Sequence, residues 1–129
     1  MIEINNLTDF SVDKRLFTGV AKIVLKGENR ERENISLAFI EKEEIKKLNK
    51  KFLGKNKPTD VLSFNLNDKD CLGEIVICPE VAKTKQEMVK VLIHGILHLL
   101  GYEHEKSKRE AEKMEEREKK YLLEIKNSL

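Results

Sequence analysis

Cysteine, proline and aromatic residues are scarce in this sequence. Its 129 residues include no tryptophan, two prolines and two cysteines. The spacing of Cys71 and Cys78 matches no zinc motif, and two such thiols are most simply small buried hydrophobic residues. Because aromatic residues make up only 5% of the chain, we expect an aliphatic core. Its bulky members are then the phenylalanines, Phe10, Phe17, Phe39, Phe52 and Phe64.

Long hydrophobic runs and a strong excess of one charge are also missing. No stretch approaches the roughly 18 uninterrupted apolar residues of a membrane span, and residues 1–14 lack the basic start and apolar segment of a signal peptide. Charged residues reach 37%, yet the formal net charge is only +2, which favours no particular class of partner. We therefore expect a cytoplasmic protein without a membrane partner, folded as a single domain over residues 1–129.

Strand-like and helix-like apolar patterns alternate along the chain. The strand-like segments are 2–6, 35–40, 60–66 and 71–78, and a polar turn at 67–70 joins the last two. Apolar residues at helical spacing predict a helix from Asp13 to about Gly27 and further helices at 41–53, 80–100 and 106–125. In the last helix the predicted inward-facing residues are Ala111, Met114, Tyr121, Leu122 and Ile125.

All three histidines of the chain lie within one short segment, HGILHLLGYEH at 94–104. His94 and His98 are four residues apart in a predicted helix, so both side chains project from one face and can reach a single metal ion. Gly101 can adopt the left-handed conformation that ends a helix and reverses the chain, which would bring His104 back toward the other two. Three protein ligands leave a fourth tetrahedral position open, as in catalytic zinc sites. The spacing therefore predicts one zinc ion per chain.

Two other interpretations of the histidines stay open at this point. A pair at this spacing flanked by Ile93, Leu97 and Leu100 is also typical of histidines in a core or an interface, although the glycine and the third histidine that follow favour the metal. The same spacing occurs in metzincin proteases, whose glutamate directly after the first histidine is replaced here by Gly95. Without that general base, peptide hydrolysis by the usual mechanism lacks its proton acceptor. A metalloprotease is therefore the least favoured function.

Several blocks of the sequence, in order, resemble the YbeY family of endoribonucleases involved in bacterial ribosomal RNA maturation. They are LNKKFLGKNKPTDVLSF at 48–64, LGEIVICPEVA at 72–82 and HGILHLLGYEH at 94–104, followed by the segment EAEKMEERE. The resemblance implies an α+β, zincin-like domain with a mixed, mostly parallel four-stranded sheet packed with helices. It also implies His94, His98 and His104 as the metal ligands.

The activity that the resemblance implies is cleavage of single-stranded RNA by a zinc-dependent endoribonuclease. The implied setting is ribosomal RNA maturation, notably at the 3′ end of the small-subunit RNA, and ribosome quality control, with the ribosome or ribosomal proteins as partners. Two positions depart from the family pattern: Glu103 replaces aspartate but keeps a carboxylate, and Leu53 stands where arginine is usual. Because Leu53 removes a bidentate phosphate donor, a different class of function stays open. It is a metal-stabilised ribosome-assembly factor that binds ribosomal RNA or protein with little hydrolytic activity.

The segment 46–57 contains six lysines and no acidic residue. Such a positive patch suits an RNA phosphate backbone, although a solvated helix surface gives the same pattern. Thr59 and Asp60 are most simply a turn into the next strand, but the resemblance places that turn beside the active cleft. The candidate substrate-binding residues are therefore Lys51, Lys55, Lys57, Thr59 and Asp60.

One further acidic residue, Glu74, falls within a predicted strand. It could orient a ligand histidine through a hydrogen bond, while a polar residue on the outer face of a strand is the simpler explanation. The residue types and their spacing do not identify a general base.

Overall fold

A computed structural model describes residues 1–66, 68–103 and 105–128 of the chain. The predicted ligand His104 thus lies outside the described residues, as does Asn67 in the predicted turn. The strands are β1 (Ile2–Asn6), β2 (Ile35–Phe39), β3 (Val61–Asn65) and β4 (Gly73–Ile77). The helices are α1 (Lys14–Gly27), α2 (Lys42–Leu53), α3 (Pro79–Ala82), α4 (Lys85–Leu99) and α5 (Lys108–Ser128).

The four strands form one sheet in the order β1-β2-β4-β3. The β1–β2 and β2–β4 pairs are parallel, whereas β3 runs antiparallel to β4. The α+β class and the mixed, mostly parallel sheet are confirmed. Because β3 is an edge strand, one of its sides is not paired with another strand, and that side lies next to the candidate site described below.

Helices cover both faces of the sheet, as expected where parallel strands are buried on both sides. Successive β4 residues point to opposite faces, so Ile75 and Ile77 join the main core with α1, α4 and α5. Val76 joins a smaller cluster on the other face, together with Ile45 of α2 and Leu62 of β3. Among the described residues, no helix is long and apolar enough to cross a membrane.

The expectation that all the phenylalanines are core residues is wrong for part of the set. Phe17 and Phe39 are buried, but Phe10 is 45% and Phe52 54% exposed, and Phe64 is half-buried. Phe10 lies between β1 and α1, outside the regular elements. Phe52 continues the inward stripe of α2, but at that point the stripe has reached the sheet edge, where it meets the Phe64 ring at 5.1 Å between centroids.

The predicted single helix at 80–100 is also wrong, because two helices occupy that stretch. The short α3 ends at Lys83, which has a φ of 73°, and Thr84 then caps α4. The Thr84 side chain accepts a hydrogen bond from the Glu87 backbone N–H at 3.1 Å. The sequence carries this signal as Thr84-Lys-Gln-Glu87, the pattern of a capping box.

Candidate active site

Helix α4 presents His94 and His98 side by side. Their Nε2 atoms lie 3.1 Å apart, and the ring planes are inclined by 82°. Two nitrogens bound at about 2.0–2.1 Å to a tetrahedral zinc ion would be about 3.3 Å apart, so the pair has the spacing of two ligands of one ion. The structure brings these two predicted residues together, and two neutral imidazoles are a donor set that fits zinc.

The chain turns immediately after this pair. Gly101 has a φ of 104°, which confirms the positive φ predicted there. Its N–H donates to the His98 carbonyl at 3.0 Å, and the Tyr102 N–H donates to the Leu97 carbonyl at 3.0 Å. Among residues 1–66, 68–103 and 105–128, no group of three His, Cys, Asp or Glu side chains forms a metal site. The third ligand, His104, lies outside those ranges and stays a prediction.

The other ring nitrogen of His94 has a carboxylate partner that the sequence analysis missed. His94 Nδ1 contacts Glu118 Oε1 of α5. The signal that could have found this residue is its position in the final helix. Glu118 lies four residues after Met114 and three before Tyr121, within the stripe that the apolar residues predict to face inward.

The position after the first histidine is packed tightly against the sheet. A Cβ atom added to Gly95 would lie 2.9 Å from Ser63 Oγ and 3.2 Å from Ile75 Cγ2. The glutamate that metzincins carry at this position would therefore point into β3 and β4 rather than toward a metal. The geometry agrees with the sequence in disfavouring a protease.

A cleft of about 640 Å³ opens beside the two histidines. Its walls come from the end of α2, the edge strand β3 and the end of α4. Phe52 and Leu53 form one side, Phe64 belongs to β3, and Glu103 is a carboxylate in the lining. The cleft thus has phenylalanine rings and aliphatic side chains on one side and the two imidazoles on the other.

A second cavity of about 390 Å³ holds most of the predicted RNA-binding residues. It shares Leu53, Val61 and Leu62 with the histidine cleft, so the two cavities adjoin across these side chains. The predicted residues in its lining are Lys55, Lys57, Thr59 and Asp60.

Lys51 lies outside both linings, with its Nζ 5.3 Å from the centroid of the Phe52 ring. The buried Asn49 fixes the loop of the second cavity, because its side-chain amide donates to the Lys57 carbonyl at 2.8 Å.

Glu74 does not accompany the histidines. It alternates with Gly73 and Ile75 of β4, which face α4 and pack near Leu99 and Gly95. Glu74 therefore points to the opposite face of the sheet. The carboxylate that contacts His94 is Glu118, not Glu74.

The turn after α4 is tied to both α1 and α5 through one carboxylate. The Tyr102 hydroxyl donates to Glu28 Oε1 at 2.6 Å, and the Tyr121 hydroxyl donates to Glu28 Oε2. Arg117 Nη1 lies 3.8 Å from the same carboxylate. Burial, reinforced by the bond to Glu28, raises the pKa of Tyr102 above its ordinary value. This Glu28 cluster fixes the start of the loop that follows Gly101.

Comparison with known proteins places residues 3–126 within a family profile described as endoribonuclease YbeY. An endoribonuclease YbeY from Bdellovibrio bacteriovorus is 48% identical over 102 residues, covering 72% of this chain and 67% of the relative. One from Persephonella marina is 37% identical over 123 residues, covering 84% and 80%. A solution structure of a Thermotoga maritima protein superimposes with a TM-score of 0.67 at 32% identity, covering 99% of this chain and 91% of that one.

Proposed function

This chain belongs to the YbeY endoribonuclease family, and we propose that it cleaves single-stranded RNA at a zinc ion held by His94, His98 and His104. Its proposed role is in ribosomal RNA maturation, including the 3′ end of the small-subunit RNA, and in ribosome quality control. Ribosomal RNA and the ribosome are then its partners, in the cytoplasm. The observation that supports this function best is the opening of the His94–His98 pair into a cleft with aromatic and aliphatic walls.

The imidazole pair supplies the preorganised part of the site. It projects from the last turns of a largely buried helix, which is packed so closely against the sheet at Gly95 that an added Cβ would lie 2.9 Å from Ser63 Oγ. When bound, zinc would supply a Lewis acid that stabilises negative charge on a phosphodiester group. The contribution of the protein is to hold neutral nitrogens in place and to fix the turn at Gly101, which leads to His104.

The cleft walls favour unpaired bases. The exposed Phe52 ring and the half-buried Phe64 ring both line the histidine cleft, and aromatic side chains stack on bases that are not held in a duplex. Stacking is worth about 1–3 kcal/mol per base, which corresponds to binding weakened by about 5- to 150-fold when a ring is lost. A base held there would place its own phosphate close to the His94–His98 pair.

The second cavity suits the adjoining phosphate backbone. Lys55 and Lys57 line it, and Leu53 stands on the shared wall between that cavity and the histidine cleft. The lysines would neutralise phosphates on one side of the scissile bond. Leu53 adds apolar surface where the family usually has arginine, so cleavage is expected to be slower than in members with a guanidinium there.

Cleavage of a labelled single strand and of the matching duplex tests the proposal. The unmodified chain with zinc should cut the single strand and leave the duplex, and a chelator or His98→Ala should abolish cutting. Elemental analysis should give one zinc per chain, and His98→Ala should retain much less. If the chain binds zinc and RNA but cuts neither strand, it acts as an assembly factor rather than as a nuclease.

The aromatic wall has a matched control. Phe52→Ala should weaken single-strand binding by about five-fold or more, on the stacking estimate above. Phe10→Ala removes a ring of similar exposure that follows β1, at the opposite edge of the sheet, and should leave binding unchanged. Equal effects of the two substitutions would place the bases elsewhere.

The lysines are tested by the salt dependence of binding. Affinity falls with salt, and the plot of log affinity against log salt becomes shallower by about 0.7 for each phosphate contact that a single strand loses. The loss of three contacts would make it shallower by about 2. The test variant replaces Lys51, Lys55 and Lys57 with Gln. The control replaces three exposed lysines of α1 with Gln, namely Lys14, Lys22 and Lys26. A slope that changes equally in both variants would mean that no RNA path crosses the second cavity.

A further inference from the structure

Glu118 is a carboxylate in an otherwise apolar stripe. Met114, Tyr121 and Ile125 are the buried residues of α5, and Glu118 falls between them at helical spacing, with its side chain only 18% exposed. A carboxylate in such a position is costly unless it has a partner. That partner is His94, whose Nδ1 contacts Glu118 Oε1.

The two nitrogens of the His94 ring face different groups. Nδ1 faces Glu118, while Nε2 faces the His98 Nε2 at 3.1 Å. A carboxylate accepts hydrogen bonds, so Nδ1 carries the proton and the lone pair of the neutral ring is on Nε2. Glu118 therefore fixes both the orientation of the ring and the tautomer that can bind a metal through Nε2.

We propose that Glu118 is the positioning residue of the metal site, acting on the ion only through His94. This inference rests on the metal site of the proposed function. The contact joins α5 to α4, so α5 contributes to a site whose ligands all lie outside it. Glu118 does not bind the ion, because it touches the ring nitrogen on the side away from His98.

The test is the zinc dissociation constant of the full chain, measured by competition with a chromophoric chelator. Removing a carboxylate that orients a ligand histidine typically costs about 10–100-fold in metal affinity. Glu118→Leu should weaken zinc binding by that amount, and Glu118→Gln by less, because its carbonyl oxygen can still accept from Nδ1. Glu115→Gln is the control: it removes one charge from an exposed position of the same helix, where Glu115 pairs with Lys119, and should stay within two-fold of the unmodified chain.

A second measurement separates positioning from general stability. Glu118→Gln removes the charge but keeps an oxygen that can accept from His94 Nδ1, so this metal-free variant should be as resistant to urea as the unmodified chain. Weaker zinc binding with undiminished metal-free stability is the expected pair of results. Metal-free stability that falls together with zinc affinity would make the residue a structural one and overturn the inference.

The two possible failures are distinguishable. If the unmodified chain binds no zinc, the metal site fails and the inference falls with it. If the unmodified chain binds zinc and both Glu118 variants match Glu115→Gln, only the role of Glu118 is overturned. Cobalt substitution gives an independent check, since a reoriented His94 should alter the visible absorption of the bound Co²⁺ in Glu118→Leu but not in Glu115→Gln.

Discussion

Three glycines allow the backbone requirement of the turn after His98 to be measured separately from packing. A Cβ added at Gly19, Gly54 or Gly101 would meet no atom within 4 Å, so substitution by alanine creates no clash at any of them. The three positions differ only in backbone conformation. Gly54 has a φ of 70° and Gly101 a φ of 104°, whereas Gly19 lies inside α1.

The expected magnitudes follow from that difference. Gly19→Ala should stabilise the fold by up to about 1 kcal/mol, the helix propensity difference between the two residues. Gly54→Ala carries a left-handed penalty of about 1–2 kcal/mol, reduced by about 0.4–1 kcal/mol because alanine restricts the unfolded chain. Gly101 lies beyond the usual left-handed region, where strain reaches about 1–3 kcal/mol. We therefore expect Gly101→Ala to be the most destabilising of the three.

Thermal unfolding with a chelator, and again with excess zinc, measures both effects. At this chain length 1 kcal/mol corresponds to roughly 3–5 °C in Tm, so a strain of about 1–3 kcal/mol in Gly101→Ala should lower the metal-free Tm by roughly 3–15 °C. It should also reduce the rise in Tm that zinc causes, because the turn toward His104 is displaced and ligand-linked stabilisation depends on affinity. Gly54→Ala should keep the full zinc-dependent rise.

Two results would refute this reasoning. A Gly101→Ala protein at least as stable as the unmodified chain would show that no positive φ is needed after His98. An equal loss of the zinc-dependent rise in Gly54→Ala would show that the loss reflects general destabilisation and not the position of the turn.

Three further predictions concern the Glu28 cluster and the cleft. Gly27→Ala would place a Cβ 2.4 Å from Tyr121 Cε1, so the urea midpoint should fall by the equivalent of about 1–3 kcal/mol of overpacking; an unchanged midpoint would contradict the packing of that ring. Burial and the bond to Glu28 raise the pKa of Tyr121 above its ordinary value. The protonated Tyr121 hydroxyl therefore contributes fully to the free energy of unfolding below about pH 10, and this contribution is lost as the pH rises further. The free energy of unfolding should therefore fall less steeply between pH 9 and 11 in Tyr121→Phe than in the unmodified chain. An equally steep fall in both proteins would show that ionisation of Tyr121 does not affect stability in this range. Leu53→Arg should raise kcat/KM for single-stranded RNA through a bidentate phosphate contact, whereas Leu53→Lys, which adds the same charge without that geometry, should raise it less.

The features that the sequence predicted correctly depend on short spacings. The four-residue interval between His94 and His98, and the glycine three residues later, are local properties of a helix and its end, and the structure has both. The strands also lie close to their predicted positions, because the alternation of apolar residues is itself local. The mixed, mostly parallel character of the sheet came from the family resemblance, and the strand order was not predicted, since periodicity does not specify which strands pair.

The features that were missed depend on residues distant in sequence. Glu118 and His94 are 24 residues apart, and no spacing rule links residues of two separate helices. Phe52 was predicted to be buried because it is one of the few bulky apolar residues of the chain. Its exposure depends on where the sheet ends, which is a tertiary property. The break at Lys83 differs, since the capping pattern starting at Thr84 was present in the sequence and was outweighed by the apolar period around it.

The order in which the parts of the site are synthesised follows from the position of α5. A ribosome completes α4, with both of its histidines, before it adds residues 108–128. Until that segment is made, His94 lacks its carboxylate partner and the Glu28 cluster lacks Tyr121. During translation, therefore, the nascent chain carries the imidazole pair before it has the helix that orients the pair. The site of a protein that we propose to cut ribosomal RNA thus stays incomplete during translation until α5 has been made.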